Sequence, residues 1–269
     1  MLDYNTPEYL PSSEELPCSD DTPVDNELQN LIPNLLKAIL ALIWQDRWDW
    51  FFGVDMGIYD RTRQIRRTPI IPDGFLSIGV PRRKNDPKGR LSYVLLEENN
   101  VVPILVLEIV SQTYGGEYDN KMTAYAQLGI LHYVIYNPDY YHRDKHEPFE
   151  VYRLEKGEYL RQFGEPLWLP EIGLGIGRSQ GIHEGWEREW LYWFDEQGNR
   201  FATPEEIAEQ ERFRAEQERF RAEQERFRAE QERFRAEQER FRAEQERQQR
   251  EIAEQLLQRY REQFGELPE

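Results

Sequence analysis

The chain has 269 residues with 51 acidic and 34 basic side chains, a formal net charge of −17 and a mean hydropathy of −0.85. The length accommodates one or two domains, and a 39% hydrophobic fraction with 13% aromatics supports a folded core. The single cysteine, Cys18, excludes an internal disulfide framework and any multi-cysteine zinc or iron–sulfur site.

No apolar run approaches the ~20 residues that span a bilayer, and the acidic N-terminus lacks the basic start of a signal peptide. These features point to a cytoplasmic protein with no membrane partner. The charge is unevenly divided. Residues 1–27 carry eight acids, no base and prolines 7, 11, 17 and 23, so 1–25 is expected to be a flexible acidic arm. The segment 205–269 holds 19 Glu and 14 Arg. Between Arg61 and Arg90 lie nine basic residues, among them Arg66, Arg67, Arg82, Arg83 and Lys84. Such a segment either grips phosphates or forms solvated loops.

In chain order, Asn26 to Gln45 has apolar residues at 28, 31, 32, 35, 36, 39, 40 and 43, the stripe of an amphipathic helix, interrupted early by Pro33. Three extended segments follow, Trp48 to Tyr59, Ile70 to Val80 and Val101 to Val110. The last is nearly all apolar, as in a strand buried on both faces. Glu117 to Leu128 reads as a helix ended by Gly129, and Leu131 to Tyr136 as another buried strand. Phe149 to Leu154 and Glu158 to Phe163 flank Glu155-Lys156-Gly157 as a hairpin. The order α-β-β-β-α-β plus hairpin predicts one α/β domain over 26–200 with a mixed sheet. GLGIGRSQG at 173–181 lacks dinucleotide-fingerprint spacing and is expected to belong to a strand-and-turn extension packed with Trp168, Trp186, Trp190 and Trp193.

Residues 201–269 form the third region. From Glu211 the unit ERFRAEQ repeats every seven residues, putting Phe213, Phe220, Phe227, Phe234 and Phe241 on one edge. Its residue types favour helix. Thr203 with Pro204, Glu205 and Glu206 reads as the helix start, and Arg212–Glu216 and Arg214–Glu218 are candidate i,i+4 pairs. Some 60 helical residues would extend roughly 90 Å. Because only one of the two core positions of each heptad is apolar, two outcomes stand open. One is a solitary solvated helix. The other is a weak coiled coil, pairing 205–264 with a second copy or a partner helix.

The chemistry lies in the middle. Asp73 follows Pro72 on an extended segment, Glu108 ends the apolar run ILVLEIV, and Lys121 lies on the next helix. A carboxylate at the end of a buried strand is costly unless paired, hydrogen-bonded or metal-bound. Two carboxylates and a lysine suit metal-dependent phosphodiester hydrolysis, the acids holding a hard cation and the lysine orienting or deprotonating water. By spacing alone, the same residues also read as a Glu108–Lys121 structural bridge and an Asp73 turn cap. His142 and His146, four apart, suit a metal only on a helix and are expected in a polar loop; His132 and His183 have no recognisable partners.

The strings IPDG at 71–74, LVLEIVS at 105–111 and GGEYDNKMTAYAQLGILHYVIYNP at 115–138 resemble the Uma2 family of endonucleases, abundant in cyanobacteria. That family looks like a branch of the PD-(D/E)xK nuclease superfamily. The resemblance extends over roughly 25 to 200, and LWLPEIGLGIG with the Trp-rich segment after it resembles the C-terminal part of cyanobacterial members. It implies a PD-(D/E)xK nuclease-like α/β fold, a mixed sheet with flanking helices, continued here by a long charged C-terminal helix. Asp73 then matches the aspartate of the motif and Glu108 its glutamate. Val110 stands at the usual lysine position, and Lys121 matches the lysine displaced onto the helix.

The resemblance further implies that Asp73, Glu108 and the Ile109 carbonyl bind Mg²⁺ or Mn²⁺ while Lys121 positions water for attack on DNA. Either Glu117 or Asp119 adds an acidic ligand or a partner for Lys121, and Glu27 is the candidate acid on the first helix. Arg66, Arg67, Arg82, Arg83 and Lys84 would flank Asp73 and hold phosphates. Two rival readings remain: a nuclease fold without catalysis that acts as a binding scaffold through its tail, and a tail that serves as an oligomerisation rod.

Overall fold

The computed structural model describes residues 26–60, 69–84 and 87–265. The acidic arm 1–25, Arg66 and Arg67 lie outside the described residues. In chain order the elements are helix α1 (Leu28–Ile43), strands β1 (Trp50–Val54), β2 (Ile58–Tyr59), β3 (Gly74–Ile78) and β4 (Tyr93–Val94), a 3₁₀ turn (Leu95–Glu98), and β5 (Leu105–Ile109). Helix α2 (Asn120–Leu128), β6 (His132–Tyr136), the one-turn α3 (Tyr141–Asp144), β7 (Phe149–Glu155) and β8 (Glu158–Gln162) come next. They are followed by β9 (Leu167–Leu169), β10 (Leu174–His183), β11 (Trp186–Phe194) and helix α4 (Pro204–Phe264).

The main sheet has the order β1-β3-β5-β6-β7-β8. Only β5 and β6 run parallel, joined through α2; the other neighbours are antiparallel. This is the mixed α/β sheet the element order predicts. All five residues of β5 and of β6 are buried, as their unbroken apolar sequence requires.

Side-chain alternation sends β5 into two cores. Leu105, Leu107 and Ile109 join α1 residues Ile32, Leu36 and Ile39, with Trp190 and Trp193 of β11, on one face. Val106 and Val110 join Tyr125, Tyr133 and Ile135 on the other. Glu108, between Val106 and Val110, therefore points toward α2.

Helix α1 is fixed by its apolar stripe and by Asn26, whose side chain accepts from Leu28 N at 2.9 Å and Gln29 N at 3.2 Å. Pro33 is tolerated in the early turns and has a packing role. A Cβ on Gly74 would lie 3.2 Å from the Pro33 Cβ and 3.3 Å from the Phe52 ring, so glycine lets α1 and β1 pack closely over the start of β3.

The Gly- and Trp-rich segment forms a three-stranded antiparallel sheet, β11-β10-β9, whose Trp193 donates from Nε1 to the Leu36 carbonyl of α1 at 3.0 Å. Trp190 and Trp193 are buried as expected. Trp168 and Trp186 are exposed instead, Trp186 because it sits at the hairpin tip where β11 begins, beyond the reach of α1. The paired short strands β2 and β4 and the 3₁₀ turn add small elements that periodicity over so few residues does not reveal.

The described residues fall into two units, divided between Glu206 and Ile207. Helix α4 is 61 residues long. Its start is a reciprocal capping box: Glu206 N donates to Thr203 Oγ1 at 3.1 Å and Thr203 N to Glu206 Oε2 at 2.9 Å. Among the described residues the ion pair within α4 is Arg247–Glu251, so the expected Arg212–Glu216 and Arg214–Glu218 pairs do not form. Fully solvated side chains gain too little from such pairing to be fixed in one geometry. No helix among the described residues is long and apolar enough to cross a membrane.

Candidate active site

Pro72 has no N–H, so the β3–β5 ladder ends where β3 begins. Its first pair is Gly74 opposite Leu107, which leaves Asp73 opposite Glu108. The Asp73 carboxylate takes over from the backbone there: its Oδ2 accepts the Ile109 N–H at 2.6 Å. The Asp73 carbonyl accepts from Asp55 N at 3.2 Å. The expected turn cap is thus replaced by a bond to a residue 36 positions away.

Glu108 is 1% exposed, and helix α2 satisfies it from above. Lys121 Nζ lies 2.9 Å from its Oε2, and the Tyr125 hydroxyl donates to its Oε1. Lys121 and Tyr125 are four residues apart on one helical face, which lets a single carboxylate meet both. The helix is placed by the turn before it. Gly116 has φ +81°, a conformation glycine adopts freely, and its carbonyl accepts from Asp119 N and Lys121 N.

Between Glu117 and Asp119 the geometry distinguishes clearly. Asp119 is the N-cap of α2 and accepts the Asn120 N–H. Glu117 is buried, accepts Gly115 N with both oxygens at 3.2 and 3.0 Å, and has Oε1 4.0 Å from Lys121 Nζ. Its carbonyl accepts from the Tyr133 hydroxyl at 2.7 Å.

Three carboxylates thus surround one ammonium. Burial pushes Asp73 well above the ordinary carboxylate range, the negative charge of Glu108 adds to this, and the Ile109 N–H and Lys121 oppose it. Burial also raises Glu108, against the pull of Lys121 and Tyr125. For Lys121 burial acts downward, but the charges of Glu108, Asp73 and Glu117 outweigh it and hold the amine above its usual value. Burial, then Glu108, raises the Tyr125 phenol well above its usual value, so it remains a donor.

Asp73, Glu108, Ile109 and Lys121 are therefore brought together. Tyr125, one helical turn from Lys121, is a member of the same cluster. The basic segment is not. Asp73 precedes β3, whereas Arg82, Arg83 and Lys84 follow its other end, where Arg82 N donates to the Trp48 carbonyl before β1. The run of β3 separates them from Asp73 rather than letting them flank it. Lys84 contacts Glu97 and Glu98, each at 2.9 Å, Arg82 lies 3.4 Å over the Trp50 ring, and Arg83 is exposed.

Glu27 is exposed at the start of α1. His142 lies on α3 rather than in a loop, and His146 follows it, stacked on Tyr118 at 3.6 Å with Nδ1 3.2 Å from Glu150. His132 bonds Glu171 at 3.0 Å, and His183 is buried against Trp190.

A mixed sheet with two carboxylates at the facing ends of adjacent strands and a lysine over them defines a domain of the restriction endonuclease-like class. The family model for Uma2, described as "Putative restriction endonuclease", matches residues 14–179, and the chain belongs to that family. No curated protein and no solved structure matches it.

The donor set fits a hard divalent ion of one kind. Among the described residues no group of three or more His, Cys, Asp and Glu forms a metal cage. Mg²⁺ is usually held by one or two carboxylates, with water and substrate phosphate completing the shell. Asp73 and Glu108 supply that number and retain acceptor capacity beyond the three hydrogen bonds they receive.

Proposed function

We propose that the chain is a divalent-metal-dependent DNA endonuclease acting in the cytoplasm. The observation that carries this reading is the convergence of Asp73, Glu108 and Lys121 at one end of β3 and β5. Asp73, Glu108 and the Ile109 carbonyl would hold Mg²⁺ or Mn²⁺. When bound, such an ion offsets the charge that develops on the phosphodiester.

The chain's own residues do the rest. Lys121, 2.9 Å from Glu108 Oε2, would position water for in-line attack on the phosphorus. Tyr125 fixes the Glu108 carboxylate from the side opposite Lys121, and Glu117 restrains the Lys121 amine. Water forms the new P–O bond and releases a proton to solvent, the ester P–O bond breaks, and the departing oxygen takes a proton from solvent.

The test is plasmid cleavage by purified protein with Mg²⁺ or Mn²⁺, beside Glu108→Ala and Lys121→Ala. Cutting by wild type and by neither variant supports the proposal. A wild type inert on supercoiled, linear and branched DNA overturns it. The binding-scaffold reading would then lead, favoured by the five exposed phenylalanines of α4.

A further inference from the structure

Helix α4 takes no part in the chemistry above, yet it carries a regular surface. Phe213, Phe220, Phe227, Phe234 and Phe241 are each 61–63% exposed and recur every seven residues. A seven-residue repeat drifts only ~20° around a straight helix, so the rings line one side. A line of exposed apolar side chains rimmed by charge marks an interaction surface.

The charges beside the rings identify the occupant. With Phe at position d of a heptad, Gln217 falls at a, Glu216 at g and Arg214 at e, and each following unit through Phe241 repeats these types. In a parallel pair of helices, g of one faces e of the next heptad on the other. Glu216 then meets Arg221 of a second copy, and Arg221 meets that copy's Glu216. In an antiparallel pair g faces g and e faces e, which sets Glu on Glu and Arg on Arg. The stripe is complementary to itself in one orientation only.

We propose that α4 is the docking surface for α4 of a second copy of this chain, paired parallel and in register. Gln at a hydrogen-bonds across the seam; a polar residue there lowers stability but specifies the pairing. Slipping by one unit keeps every charge pair type but forfeits a Phe layer at the end, so full register is favoured. This inference is independent of the nuclease reading.

The test is sedimentation equilibrium of the full chain at rising concentration. Wild type is expected to reach twice 32.4 kDa, and Phe220→Gln/Phe227→Gln/Phe234→Gln to remain at 32.4 kDa with its circular-dichroism helix signal unchanged. A wild type that stays monomeric overturns the proposal. So does a trimer, or a dimer that survives the triple substitution. Orientation is read by oxidation in a Cys18→Ser background. Gln217→Cys and Gln245→Cys should each cross-link to themselves. A dimer in which neither variant cross-links to itself would mean another orientation or register and overturn it.

Discussion

Tyr125 donates to Oε1 of Glu108, the carboxylate oxygen that Lys121 leaves open by binding Oε2. The two partners come from one face of α2, so the angle of the helix over the sheet fixes the carboxylate in both directions. Tyr125→Phe should leave the fold intact, since the ring still fills its pocket between Glu108 and Tyr133. A lost hydrogen bond to a charged group is worth about 1.5–3 kcal/mol. We expect kcat to fall by at least about tenfold, with KM for DNA little changed, in steady-state cleavage assays.

Lys121→Ala removes the one cation among Asp73, Glu108 and Glu117. Truncating one partner of a buried pair commonly destabilises by about 3–5 kcal/mol, and the half-buried amine puts this case at or below the lower end. Pairing it with Glu108→Gln removes the charge left unpaired, so the double variant should melt above the single one. Thermal denaturation of all four proteins in the cycle gives the coupling directly. Additive losses would mean that Lys121 contributes nothing through Glu108.

Glu171 supplies a pH prediction away from the site. Its hydrogen bond from Arg153, together with His132, holds its carboxyl down at about 2 against a usual 4.5. A depressed folded-state value stabilises the fold above the unfolded value and is lost as pH falls. Glu171→Gln should therefore melt lower than wild type at neutral pH, by less than about 1 kcal/mol for so exposed a pair. The two melting curves should converge between about pH 4.5 and about 2.

Lys84 and Arg83 should separate in a DNA-binding assay. Lys84 and Arg90 both reach Glu98, which is 2% exposed, so Lys84→Ala is expected to lower the melting temperature and leave the salt dependence of binding unchanged. Exposed Arg83 is the residue of the two available to a phosphate. Arg83→Ala should lower the slope of log affinity against log salt by about one. Binding that ignores salt in the wild type would remove this segment from any DNA surface.

Periodicity marked α1 and α4, unbroken apolar runs marked β5 and β6, and Gly129 and Glu155-Lys156-Gly157 helped mark α2 and the β7–β8 hairpin. The positions of Asp73, Glu108 and Lys121 were readable from the strings around them. Tyr125 was readable only as an alternative: one helical turn from Lys121 it could face the site or pack, and which it does depends on how the helix lies on the sheet. The choice between Glu117 and Asp119 depended likewise on where α2 begins; Asp119 as N-cap leaves Glu117 in the turn, facing inward. The misplacement of Arg82, Arg83 and Lys84 came from linear distance. They lie near Asp73 along the chain, but β3 intervenes and carries them to its other end.

The capping box of Thr203 and Glu206 anchors the first turn of α4 in residues that precede the repeat. Every ERFRAEQ unit then begins and ends at the same azimuth to within a fraction of a turn. Gain or loss of whole units, as unequal exchange between tandem copies would produce, alters reach by about 10 Å each time without disturbing the helix origin. The tail is thereby a segment whose length can vary among descendants while the folded domain is inherited unchanged.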